Sequence, residues 1–403
     1  MIFRSRPLTE DFDLNSVCRG DGMLFVRDGV GHASRGVVTT VDEDAIVGLL
    51  ASCTAHPDSN GPGPVAFGLV PFLPGAGATF FVPRVTFSKL ADGSRHVTVI
   101  ADNDADLTDR HLDAVVSDAL SVSAPVATSN SYSVRPLTPE DTYLAAVATA
   151  RDSVRRGDIA KAVIARDIEV AADRPIDVHA VLLRLRASFG SSYRFCVGDM
   201  IGASPELLVQ VDGRTVRSHP LAGTAPRTGD PETDARLAAE LVASTKNQIE
   251  HRVVIDMVHD TLLPHCSYLD WEAEPSIVTV ANVQHLGTAI EGALAEPVPH
   301  VLTLVRELCP TPALGGSPSA AAIDIITANE GFSRGFYGGA VGCVDASGGG
   351  TFAVTIRCAE LSGDRRRARL FAGGGIVAES DPHSELAETQ AKFQAMLSAI
   401  VRP

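Results

Sequence analysis

Strand-like runs gather in groups along this chain, and helices interrupt them at irregular intervals. VAFGLVPF (65–72), ATFFV (78–82) and HVTVIA (96–101) are β-branched and aromatic runs set off by Gly and Pro. KAVIARDIEV begins at Lys161, and YRFCVG, ELLVQV and TVRSHPL follow in succession. The last two are joined by Asp212-Gly213, a hairpin signature. GGAVGCV and FAVTIRCAEL, linked by SGGG, predict two long strands, and RLFAGGGIV predicts another. A regular strand–helix alternation would mean a parallel sheet; grouped strands with irregular helices predict an α+β sandwich.

The helices have their own signals. Thr138 is placed to cap TYLAAVATARDSVRR, with Pro139 at the first helical position and Asp141 three residues after the cap, and Gly157 should end it. Asp177 should cap DVHAVLLRLRASF. Residues 231 to about 262 read as helical, and SELAETQAKFQAMLSAI closes the chain. SVSAPVATSNSYSVRP (121–136) is the most loop-like stretch. The expected division is an N-terminal portion, 1–125, a connecting segment, 126–137, and a main region, 138–398, with the first and last in one sandwich.

The 34 Lys and Arg against 49 Asp and Glu give a net charge of −15 over 403 residues. Nucleic-acid binding needs clustered positive charge, so that partner is not expected. An anionic substrate would have to meet a local cationic patch or a metal. Seven Cys without a CxxC pair suit neither a disulfide framework nor a zinc site and fit a reducing cytosol, so a cytoplasmic location is expected. No run of about 18 apolar residues predicts a membrane span.

Several residues could carry chemistry, and the residues alone leave two readings of each. Lys161 heads an apolar strand; such a Lys ordinarily keeps its ammonium in solvent, but facing a closed cavity it could serve as a base. Glu206 follows the Gly-Ala-Ser-Pro turn of GASPELLVQ and is either an exposed strand-start Glu or a protonated acid beside Leu207 and Leu208. Glu250 lies in KNQIEH, while Glu385, Glu388 and Lys392 share one face of the last helix. Those are solvated charged stripes, or few-oxygen ligands of the kind Mg²⁺ accepts. The GGG at 373–375 matches neither a P-loop nor GxGxxG, yet its amides could cradle a carboxylate. Arg357, midway along FAVTIRCAEL, suits either a structural carboxylate or that of a ligand.

In order, KAVIAR, GASPELLVQ, PLAGTAPR, KNQIEH, VQHLGT, PTPALGG, GFYGGAVG, TIRCAE, AGGGIV and SDPHSELAETQAK resemble the chorismate-utilising enzymes. That family comprises isochorismate, salicylate, anthranilate and aminodeoxychorismate synthases, and the resemblance covers essentially everything from residue 138 onward. It implies a large sandwich of two antiparallel sheets flanked by helices, with the site between them. It also implies Mg²⁺ held by Glu250 and Glu388, with Glu385 as an auxiliary ligand. Tyr337, Arg357 and the backbone at Gly373 and Gly375 would grip the enolpyruvyl carboxylate, with His285 and Lys392 lining the site. Lys161 would be the base and Glu206 the acid.

Members that add ammonia lack the Lys of KAVIAR, so Lys161 points to water as nucleophile. In PLAGT, Ala222 replaces the Lys of the covalent aminodeoxychorismate synthases, and Gly223 and Thr224 follow it at the site. Ala313 and Leu314 of PTPALGG match the isochorismate synthase version. The resemblance therefore implies isomerisation of chorismate to isochorismate by a monomer needing no amidotransferase subunit, for siderophore or menaquinone synthesis. The alternatives are a salicylate synthase, which also eliminates pyruvate, and more distantly a non-catalytic chorismate-binding homologue. Two departures from the family pattern, Cys309 and Asn247, bear on substrate and metal affinity.

Overall fold

A computed structural model describes residues 1–121, 130–280 and 283–401. Among the described residues, hydrogen bonds link twenty strands into one network, antiparallel except where Ile2–Pro7 meets Thr54–Ala55. The network has two runs that share the long strands Val30–Val41 and Thr79–Lys89. One passes from these through Met23–Arg27, Tyr193–Val197, Met200–Ser204, Cys358–Leu361 and Arg367–Ile376 to Lys161–Ala172. The other leaves the start of Thr79–Lys89 through Val65–Val70, Ala340–Asp345, Gly350–Val354 and Leu207–Asp212 to Thr215–His219. A register shift between Val37 and Thr39 lies where the shared strands pass from one run to the other, as expected of a bulge that bends a sheet.

Three apolar layers make this a sandwich. Phe67, Val341 and Ala353 of the second run pack between the sheets with Phe195, Cys358 and Phe371 of the first. Outside the first run lie Leu182 and Leu185 of helix Val178–Ser188 with Phe393 and Ile400 of helix Pro382–Val401. Outside the second lie Val258 and Leu262 of helix Thr245–Leu262 with Leu304 and Leu308 of helix Val301–Leu308. The expected α+β sandwich is therefore present, and N-terminal strands contribute to both of its runs. A separate three-stranded sheet, Leu221–Pro226, Val283–Gly287 and Ser276–Val280, stands beside it.

Several local expectations hold. Asp177 accepts from the Ala180 amide, Gly157 ends its helix in the left-handed region, and Asp212-Gly213 turns a hairpin. Three do not. Thr138 caps nothing; its hydroxyl lies 2.5 Å from the buried Asp167 carboxylate, so helix Glu140–Arg156 starts one residue later, after Pro139. Part of the connecting segment is a strand: Tyr132–Pro136 pairs with 168–172, while 122–129 falls outside the described residues. FAVTIRCAEL is two strands, Gly350–Val354 and Cys358–Leu361, broken where Arg357 has φ +51°.

One buried ion pair fixes the strand that begins at Lys161. Glu330 and Arg334, both nearly inaccessible, bond each other four residues apart. Glu330 also accepts from the Ala165 amide at 2.7 Å. Arg334 donates to the carbonyls of Val163 at 2.6 Å and Leu314 at 2.8 Å. The pair thereby stitches the loop holding Ala313 and Leu314 to the Lys161 strand. Arg334→Ala strands a buried carboxylate and is expected to cost about 3–5 kcal/mol, read by urea denaturation. The double change Glu330→Gln, Arg334→Met should recover most of that loss.

Candidate active site

A cavity of about 270 Å³ opens between the main sandwich and the small sheet, and every site residue singled out above lines it. The main sandwich supplies Lys161, Glu206, Ala313, Leu314, Tyr337, Arg357, Gly373, Gly375, Glu385, Glu388 and Lys392. Ala222, Gly223, Thr224 and His285 come from the small sheet, and Glu250 from helix Thr245–Leu262.

Lys161 and Glu206 are both buried, 4% and 3% exposed. Lys161 Nζ lies 2.7 Å from Glu250 Oε1. Glu206 accepts one long bond, 3.4 Å, from the Leu221 amide. Burial raises its carboxyl to about 8, against the weaker downward pull of that bond and of Lys161 and Arg357. At neutral pH Glu206 therefore keeps its proton, the state required of an acid.

Arg357 reaches the cavity from the break between its two strands. Its Nη2 lies 3.2 Å from His285 Nε2, and its Nε is buried without a partner. His285 Nδ1 lies 3.1 Å from the Gly223 carbonyl and 3.2 Å from Thr224 Oγ1. A carbonyl can only accept and a guanidinium only donate, so Nδ1 carries the proton and Nε2 receives from Arg357. Burial, then Arg357 and Lys392, push His285 down to about 3, which keeps it neutral.

The glycine run is a packing requirement. A Cβ on Gly375 would lie 2.7 Å from Lys161 Cε and 2.9 Å from Glu250 Oε1. One on Gly374 would meet Glu385 Oε2 at 2.6 Å, and one on Gly373 would meet the Tyr337 hydroxyl at 3.1 Å. Lys392 donates to the Gly373 carbonyl at 2.7 Å and pairs with Glu388 at 2.6 Å, which with its charge holds that carboxylate below its usual range despite burial.

Residues 43–401 match the sequence profile described as chorismate binding enzyme. The chain belongs to the chorismate-binding enzyme family. A Mycobacterium tuberculosis protein provisionally named isochorismate synthase MenF is 44% identical over 277 residues, spanning 66% of this chain and 74% of its own. Isochorismate synthase DhbC of Bacillus subtilis is 38% identical over 282 residues, spanning 67% and 70%. A Bacillus anthracis crystal structure, provisionally a 2,3-dihydroxybenzoate-specific isochorismate synthase, superposes with a TM-score of 0.80. It is 31% identical and covers 96% of this chain and 98% of its own. The menaquinone-specific isochorismate synthase of Escherichia coli shares the fold, with a TM-score of 0.83 at 24% identity over 99% of this chain and 94% of its own.

In this chorismate-binding enzyme the carboxylates expected to hold Mg²⁺ each have a partner. Glu250 is met by Lys161, Glu388 by Lys392, and Glu385 Oε1 by Ser380 Oγ at 2.8 Å. Among the described residues no three His, Cys, Asp or Glu side chains form a ready metal cluster. The donor chemistry nevertheless fits: three hard oxygen donors from two helices line one cavity.

Sequence reasoning missed other lining residues. Asn247, noted above only as a departure, lines the cavity one helical turn before Glu250 and packs under Gly223, whose φ is +72°. Phe371 stacks on Tyr337 with ring centroids 5.1 Å apart and orients it. An aromatic in a strand beside GGG gives no distinguishing signal.

The buried acid also sets a stability signature. Its pKa is higher folded than unfolded, so the folded chain keeps a proton the unfolded chain releases. Stability is full below about pH 4.5 and falls as pH rises toward 8, a loss on the order of a few kcal/mol. Glu206→Gln removes that loss, so its melting temperature should gain on the parent more at pH 8 than at pH 5.

Proposed function

We propose that this chain isomerises chorismate to isochorismate, with water adding at C2 and the C4 hydroxyl leaving. The single observation that carries the reading is a buried Lys and a protonated buried Glu lining one cavity. Those are the two proton-transfer groups that water-for-hydroxyl exchange requires. The relatives named isochorismate synthases support the same reaction.

Lys161 takes a proton from water as the water oxygen bonds to C2. Glu206 gives its proton to the C4 oxygen as that bond breaks and the ring double bonds shift, so one water enters and one leaves. Arg357, Tyr337 and the backbone at Gly373 and Gly375 would bind the enolpyruvyl carboxylate. Neutral His285 accepts from Arg357 and so helps to aim its guanidinium. Mg²⁺, held by Glu250 and Glu388 with Glu385 in support, would neutralise the ring carboxylate and draw charge toward it. Ala222 leaves no amine for covalent addition, and water as nucleophile removes any need for an ammonia-supplying subunit.

Purified protein with chorismate and Mg²⁺ should yield isochorismate by chromatography and none after chelation. Salicylate with pyruvate would overturn the assignment in favour of the two-step reaction, and chorismate binding without turnover would mark a non-catalytic homologue. Lys161→Ala and Glu206→Gln should each lower turnover by about 10²–10⁴-fold with the fold retained. Because the acid form of Glu206 is required, kcat/KM should fall on an alkaline limb with its midpoint near pH 8.

A further inference from the structure

We propose that His251 is a positioning residue, the clamp that holds the Glu250 helix and the Glu206 loop in one arrangement across the back of the cavity. The inference rests on the isochorismate synthase reading and adds to it a residue that touches no substrate. His251 follows Glu250 directly but faces away from the cavity, into the protein.

Its Nε2 lies 2.7 Å from Thr288 Oγ1, and the two residues are 1% and 0% exposed. Thr288 follows the strand Val283–Gly287, three residues after His285. Its amide donates to the Pro220 carbonyl at 3.4 Å. The next residue, Leu221, supplies the amide that meets Glu206 Oε1. On the other side, Glu250 meets Lys161 at 2.7 Å. Base and acid are thus joined behind the cavity through Lys161, Glu250, His251, Thr288, Pro220, Leu221 and Glu206, in that order.

The surroundings of this contact leave it little freedom. A Cβ on Gly287 would lie 2.8 Å from His219 Nε2 and 2.9 Å from Leu221 Cδ2, so the strand end is packed tightly against the Leu221 turn. His251 Nδ1 is buried without a hydrogen-bond partner. Leaving a buried nitrogen unmet is unfavourable, and an apolar side chain would fill the space without that cost. What the imidazole adds is the Thr288 bond. In a buried setting that bond is directional, so it sets the rotation of the helix and with it the aim of Glu250.

The test compares His251→Leu, Thr288→Val and His251→Gln with the parent. Leu and Val remove the bond, Val with almost no change of volume, while Gln can restore it from the Nε2 position. Calorimetric Mg²⁺ titration should show affinity about 10–100-fold weaker for His251→Leu and Thr288→Val, and near-parental for His251→Gln. The double change His251→Leu, Thr288→Val should be no worse than the poorer single change. Hydrogen exchange should quicken in peptides covering 219–224, 245–256 and 283–290 and nowhere else. Unchanged exchange at 219–224, unchanged Mg²⁺ affinity in a folded Thr288→Val, or additive single effects would each overturn the proposal. Failure of the parent to convert chorismate would sink the reaction assigned above instead, and the exchange data would still decide the clamp.

Discussion

Three consecutive residues without side chains let opposing charged groups share one closed space. The strand Arg367–Ile376 pairs with Lys161–Ala172 over its whole length, so 373–375 lie directly beside 163–165. At that crossing Gly375 makes room for Lys161 and Glu250, Gly374 for Glu385, and Gly373 for Tyr337. Any Cβ at 374 or 375 would come within 3.0 Å of a charged residue's side chain. The run thus trades the packing that strand interiors normally gain from side chains for a cavity floor of backbone amides and carbonyls. Lys392 already uses one of those carbonyls.

Around that floor, each group's surroundings fix what it can do. Glu206 is buried with one long hydrogen bond and stays protonated; Glu388, only half-buried, has Lys392 against it and stays ionised. Two carboxyl groups in the same cavity are driven apart by partner charge, which is how one site can hold an acid and anionic ligands together. The Glu330–Arg334 pair keeps the strand and loop behind them from relaxing into the space.

Much of this was legible in the sequence, for identifiable reasons. Hairpins, caps and helix ends depend on a few local residues, so Asp212-Gly213, Asp177 and Gly157 read correctly. Thr138 misled because a cap signal is local, whereas the Asp167 that takes its hydroxyl is a tertiary neighbour. SYSVRP looked like a loop because an edge strand with exposed side chains has no apolar alternation to display. The resemblance located the cavity residues, and the i, i+4 spacing of Glu388 and Lys392 was legible within the last helix, but nothing in the sequence showed that Glu250 faces Lys161, since that contact is set by tertiary packing. The Glu330–Arg334 anchor and the His251–Thr288 contact were invisible for the same reason.

Arg357 shows how a departure from local preference becomes a site. A positive φ is strained for a residue with a side chain, and an Arg there persists only where its surroundings over-determine it. Here the break between strands turns the side chain out of the regular pleat and toward the cavity, where His285 meets it. His285 can accept only because its other nitrogen is committed to Gly223, and Gly223 has its own left-handed backbone packed over Asn247. The guanidinium is therefore aimed by a chain of constraints running from the Glu250 helix through the small sheet into the main sandwich. Each wall of the cavity holds the other's side chains in place, so a change in the small sheet should act on the aim of Arg357 in the large one.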